Sequence, residues 1–158
     1  PCGNYVLLGR KKIWPTGRYS CLAGFVEIGE TVEQCVIRET AEESGVKILP
    51  ESIVYKCSQP WPFPSSLMIG YFAVAAGHRD EGLPSITVQE EEMEDVQWFS
   101  KDEIVVALQS GPGSTSLMNV LTPMTTAAET QQQQLQLPGK ASVARYLISL
   151  WADQDKAN

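Results

Sequence analysis

Glu39, Glu42 and Glu43 stand at i, i+3 and i+4 in a stretch, Thr31 to Ser44, that contains no Gly or Pro. At about 100° per residue the three carboxylates fall within roughly a 100° arc of one helix. Like charges so spaced disfavour the helix by about 0.2–0.5 kcal/mol per pair. A solvated acidic face is the ordinary reading of such a pattern. The chemical reading is a site for a hard divalent cation, because clustered carboxylate oxygens suit Mg²⁺ or Mn²⁺. Arg38 is placed to pair with Glu42 at i,i+4. The opposite face carries Val32, Cys35, Val36 and Thr40, small enough to pack on a sheet.

The elements that must position these acids are legible on either side. Thr31 with Gln34 fits a capping box, and Gly45 sits where a C-terminal glycine cap belongs. Tyr5 to Leu8 reads as a strand running into the basic loop Arg10-Lys11-Lys12. Tyr19 to Ile28 mixes β-formers with glycine and reads as a strand followed by a turn. Ile53 to Cys57 is a further strand, and Ser66 to Ala76 a buried one. Between them Ser58 to Ser66 holds three prolines and is expected to lie outside regular structure. Val96 to Phe99 reads as a strand entered from a very acidic run. Ser100 and Glu103 repeat the capping-box pattern ahead of a helix over Lys101 to Leu108. Ala141 to Ala152 is the last helix, with Val143, Leu147, Ile148 and Trp151 at helical spacing. Residues 110–134 hold a single charge, Glu129, and end in four glutamines; they read as a polar Gln-rich insertion.

The chain has 158 residues, which fits one α/β domain over 1–158. Twelve Lys and Arg against nineteen Asp and Glu leave a net charge of −7. That excess argues against loose binding to a nucleic-acid backbone, unless metal ions lie between. The longest near-apolar run, Leu67 to Gly77, spans 11 residues and is too short for a bilayer. Cys2, Cys21, Cys35 and Cys57 are scattered, with no CxxC pair, so neither a zinc site nor a disulfide framework is read here. Reduced thiols point to an intracellular setting, cytoplasmic or an organelle matrix. A first residue that is Pro rather than Met reads as a fragment or a processed product.

Gly24, five residues, Glu30, seven residues, Arg38-Glu39, two residues, Glu42-Glu43, one residue, Gly45-Val46 resembles the Nudix box. The one departure is Thr40, where the family usually has an aliphatic residue. The resemblance implies a Nudix-type α/β/α sandwich with a mixed sheet, lacking its first strand in this chain. It implies that Glu39, Glu42 and Glu43 bind two to three Mg²⁺ or Mn²⁺ ions. Arg38 and Glu30 then orient the carboxylates without touching the metal, and Glu43 shares the role of base.

Ser58 to Ser66, SQPWPFPSS, resembles the signature of the NADH pyrophosphatase branch of that superfamily. The stretches at Leu22 to Glu27, Glu92 to Phe99 and Ser142 to Ile148 are similar to that branch as well. By position the resemblance implies Glu92 as a further metal ligand. It implies Gln59, Trp61, Phe63, Ser142 and Ala144 on the substrate. The implied reaction splits NADH or NAD⁺ into NMN(H) and AMP, and extends to removing NAD caps from RNA 5′ ends. The branch implies a homodimer and an upstream four-cysteine zinc ribbon, which is not in this chain. The alternatives are a broader ADP-ribose-type hydrolase and a non-catalytic Nudix-fold subunit of a larger assembly.

Overall fold

The computed structural model of the chain describes residues 3–62, 64–77, 82–110 and 135–154. Along the chain the elements are β1 (Tyr5–Arg10), α1 (Val32–Ser44), β2 (Val54–Trp61), β3 (Ser66–Phe72), β4 (Asp95–Ser100), α2 (Lys101–Gln109) and α3 (Val143–Ala152). A single 3-10 turn at Pro50–Ser52 leads into β2.

Alternation along β1 sets the layers. Leu8 is fully buried with Phe99, Ile104, Ile148 and Trp151, on the side of α2 and α3. Its neighbour Leu7 packs with Val46, Ala75 and Trp98 on the side where α1 ends. Successive side chains point to opposite faces of a strand. One strand therefore has helices on both sides, and the fold is the α/β arrangement expected.

Both ladders are antiparallel. Tyr5 to Arg10 of β1 pairs with Ser100 to Asp95 of β4, and β2 pairs with β3 as a hairpin. Among the described residues both sheets are two-stranded and antiparallel rather than one mixed sheet, and parallel pairing occurs as an isolated bridge, Arg18 to Gln136.

The helix ends follow the sequence. Thr31 Oγ1 accepts from Gln34 N–H while Thr31 N–H donates to Gln34 Oε1, at 3.2 and 2.8 Å. Gly45 takes φ 70°, a left-handed conformation costly for other residues, and donates to Ala41 O. Ser100 and Glu103 close the second capping box.

Three expectations fail. Tyr19 to Ile28 is not a strand; it makes one bridge, Ser20 to Gly9, and then runs as a loop. Its backbone groups go to side chains instead: Ala23 N–H to Glu43, Phe25 O to Arg38, Glu27 N–H to Glu30. The prolines do not exclude regular structure from Ser58 to Trp61, which extends β2. Pro60 lies opposite Leu67. A two-stranded ladder leaves each strand an open edge, where a missing N–H is tolerated. The strand β3 stops at Phe72 rather than Ala76, and it is not buried throughout, since Leu67 and Ile69 are exposed. Phe63, most of the 110–134 segment and Cys2 lie outside the described residues. Among the described residues no helix is long and apolar enough to cross a membrane.

Candidate active site

Arg38 is the hub of the carboxylate helix. Its Nε and Nη2 grip both oxygens of Glu30, at 3.0 and 2.6 Å. Its Nη1 donates to Glu39 and to Glu42, each at 3.0 Å. Nη2 also donates to Phe25 O at 2.9 Å. One planar guanidinium thus joins three acids and the loop ahead of the helix, which a point-charge ammonium does not match. The pairing with Arg38, helped by the Glu27 N–H, holds the Glu30 carboxyl down to about 2. Charge-assisted hydrogen bonds to three carboxylates push the Arg38 guanidinium the other way, upward.

Glu43 has a different setting. It is 1% exposed, and one of its oxygens accepts from Ala23 N–H at 3.3 Å. Burial pushes its carboxyl up to about 7; Lys11 and the Ala23 N–H oppose the rise, while Glu39 and Glu92 add to it. The acidic run bearing Glu92 docks by its backbone at the end of α1, with Gln89 N–H reaching Glu43 O at 3.4 Å. Glu92 is exposed there, and its charge is felt at Glu43.

Gly24 accounts for the position of Glu39. A methyl group at residue 24 would overlap the Glu39 carboxylate. The glycine therefore leaves a cradle that the carboxylate fills. The sequence reading sends Glu39, Glu42 and Glu43 to two to three metal ions. In the structure Glu39 and Glu42 meet Arg38, and Glu43 meets Ala23. Among the described residues no three acidic, His or Cys side chains converge on one metal-sized point. The donor set still fits a hard divalent cation: every candidate ligand is a carboxylate oxygen, and the Gly24 cradle holds one of them at the loop.

The substrate residues inferred from the SQPWPFPSS resemblance fall into two groups. Gln59 Nε2 donates to Ala141 O at 2.7 Å, and Gln59 Oε1 accepts from Val143 N–H at 2.9 Å. The end of β2 is thereby tied to the start of α3. Ser142 caps that helix, accepting from Arg145 N–H, and Ala144 O receives the Cys21 thiol at 3.8 Å. Trp61 ends β2 about half exposed. The structure ties Gln59 to the residues on either side of Ser142, and leaves Trp61 half exposed. Sequence reasoning missed the backbone N–H of Ala23, concealed by reading Tyr19 to Ile28 as a strand, and it named Lys11 only as part of a basic loop.

The NUDIX domain profile matches residues 2–119. The chain belongs to the Nudix family. The human protein named NAD-capped RNA hydrolase NUDT12 is 38% identical over 151 residues, 96% of this chain and 27% of its own. The NAD-capped RNA hydrolase NudC of Mycobacterium bovis is 38% identical over 146 residues, 92% of this chain and 40% of its own. This chain thus spans 27% to 40% of the length of those two curated relatives. A solved NUDIX-family hydrolase from Clostridium perfringens shares the fold, with a TM-score of 0.51 at 19% identity, covering 68% of this chain and 80% of its own. In this Nudix chain Thr40, the departure from the box, lines a cavity of about 210 Å³ between α1 and the sheet, with Val36, Tyr71, Trp98 and Leu147.

Proposed function

We propose that this chain hydrolyses the diphosphate of NADH or NAD⁺, releasing NMN(H) and AMP, and that the same cleavage removes NAD caps from RNA 5′ ends. The observation that carries the reading is its 38% identity with proteins named NAD-capped RNA hydrolases, over 96% and 92% of this chain. The geometry agrees with it. A diphosphate needs its charge neutralised and a water made acidic, and a carboxylate helix with a guanidinium hub is suited to organise both.

Glu39, Glu42 and Glu43, with Glu92 from the adjoining turn, would hold the metal, read as two to three Mg²⁺ or Mn²⁺ ions. Bound there, the ions supply neutralising charge and a water of lowered pKa. Arg38 sets the orientation of Glu39 and Glu42 and anchors the loop through Phe25 O. Glu43, buried against the Ala23 N–H, is assigned to share the role of base. Water adds to one phosphorus, the bridging P–O bond breaks, and the two phosphates leave on NMN(H) and AMP. Trp61 offers an exposed ring for stacking beside the junction of Gln59 with α3. Phe63 is assigned to the same wall on the resemblance.

The reading includes a homodimer, which light scattering measures directly, and an intracellular setting where NAD(H) is present. The test of the activity is AMP release, followed by chromatography, from NADH and from ADP-ribose with and without Mg²⁺. The expected outcome is metal-dependent release, faster from NADH. Faster release from ADP-ribose makes this a broader diphosphate hydrolase, and release from neither overturns the reading.

A further inference from the structure

Lys11 is the first residue after β1, and the strand's alternation decides where it points. Leu7 faces Val46 at the end of α1. Gly9, two residues on, lies against Leu22 and Met93, which a methyl group there would overlap. Continued one residue past the strand's end at Arg10, the same period puts Lys11 on that face.

The residues on either side of Lys11 are fixed. Arg10 points the opposite way, pairing with Glu94 at 3.0 Å and donating to Trp14 O and Pro15 O. Lys12 donates to Glu90 O at 2.7 Å. Both grip the acidic run that docks on Glu43 through Gln89. Lys11 is held half-buried between them, and its charge reaches Glu43.

The ammonium of Lys11 nevertheless makes no hydrogen bond or ion pair with a described residue. Most of the nearby acids are already engaged: Glu39 and Glu42 by Arg38, Glu43 by Ala23, and Glu94 by Arg10, while Glu92 is exposed. An ammonium has three donors, and its strongest acceptors are anionic oxygens. A partner that brings its own negative oxygens into this acidic site fills the vacancy.

We propose that Lys11 binds a non-bridging phosphate oxygen of the substrate, across from the carboxylates of α1. This rests on the diphosphate reading above. The ions that Glu39, Glu42, Glu43 and Glu92 would hold neutralise part of the diphosphate's charge, and a fixed cation adds to that neutralisation. Lys11 keeps its proton throughout; it contributes charge and hydrogen bonds, and no covalent bond to it forms or breaks.

The test compares the wild-type chain with Lys11→Met, Lys11→Arg and, as a control at an exposed site after α1, Lys47→Met. With Mg²⁺ present, Lys11→Met lowers kcat/KM about tenfold or more, by the same factor for NADH and ADP-ribose, since both carry the diphosphate. Lys11→Arg recovers most of the loss, and Lys47→Met behaves as wild type. Calorimetry with inorganic pyrophosphate and Mg²⁺ reads the contact without turnover, and Lys11→Met binds it about tenfold more weakly. Pyrophosphate affinity unchanged in Lys11→Met overturns the proposal, even if the wild type proves inactive on NADH. An inactive wild type that binds pyrophosphate through Lys11 overturns the NAD(H) reading alone. A wild type that binds no pyrophosphate overturns the Lys11 assignment. A loss matched by a fall in melting temperature and not recovered by Arg assigns Lys11 a structural role instead, and also overturns it.

Discussion

Gly24 and Glu39 share one small volume: the side chain that Gly24 lacks is the space the Glu39 carboxylate occupies. Gly24 has no need of a left-handed backbone, so the absence of a Cβ is what matters at this position. Gly24→Ala should therefore fold, because the overlapping group is the far end of a flexible side chain. Displacing that carboxylate should still cost about tenfold or more in turnover, the scale of disturbing a metal ligand's surroundings. Circular dichroism with an NADH assay checks both halves. Full activity in a folded Gly24→Ala variant would remove the cradle argument.

Arg38→Lys tests the hub. Lysine keeps the charge but cannot hold both oxygens of Glu30 while donating to Glu39, Glu42 and Phe25 O. The loop from Phe25 to Glu30 should loosen, and turnover should fall by an amount equivalent to about 1–3 kcal/mol. Hydrogen exchange reports the loop, with the Glu27 amide, which donates to Glu30, as the most informative site. Unchanged exchange at Glu27 would show that the loop holds its shape without the fork.

How far the sequence was readable depends on where the information sat. The capping pairs Thr31–Gln34 and Ser100–Glu103 are local, three residues apart, and both formed as read. The carboxylate arc is local too, since one helix fixes it. What could not be read was non-local. The β-formers between Tyr19 and Ile28 suggest a strand, but Glu43, Arg38 and Glu30 take the hydrogen bonds that a ladder would have used. The prolines after Ser58 suggest a break, but an open strand edge tolerates Pro60. The i,i+4 pairing of Arg38 with Glu42 was legible, but no local pattern says that Arg38 also holds Phe25 O, or that the charge of Lys11 reaches Glu43.

Gln59 joins β2 to α3 with both ends of its amide, through Ala141 O and Val143 N–H. Gln59→Ala removes two hydrogen bonds, worth about 0.5–1.5 kcal/mol each. The melting temperature should fall by a few degrees, as expected for a change of that size in a chain of this length. The KM for NADH should rise as the start of α3 loosens. A melting temperature equal to wild type would mean that water replaces the amide without loss.

The buried carboxyl of Glu43 gives the metal-free protein a pH dependence of definite sign. Burial pushes this group up to about 7 in the folded chain, from a usual value of 4.5. Below pH 4.5 both folded and unfolded chains carry the proton, and the group has no effect on stability. From there to pH 7 the unfolded chain has released a proton that the folded chain keeps, so stability falls as pH rises. Above pH 7 the penalty is complete, on the order of 3 kcal/mol. Glu43→Gln removes the ionisation. It should stabilise the metal-free protein at pH 8, with little effect at pH 4, while abolishing turnover. Denaturant melts of both proteins in a chelator across this range measure the difference. A gap between variant and wild type that does not widen with rising pH would show that Glu43 ionises without cost in the folded chain.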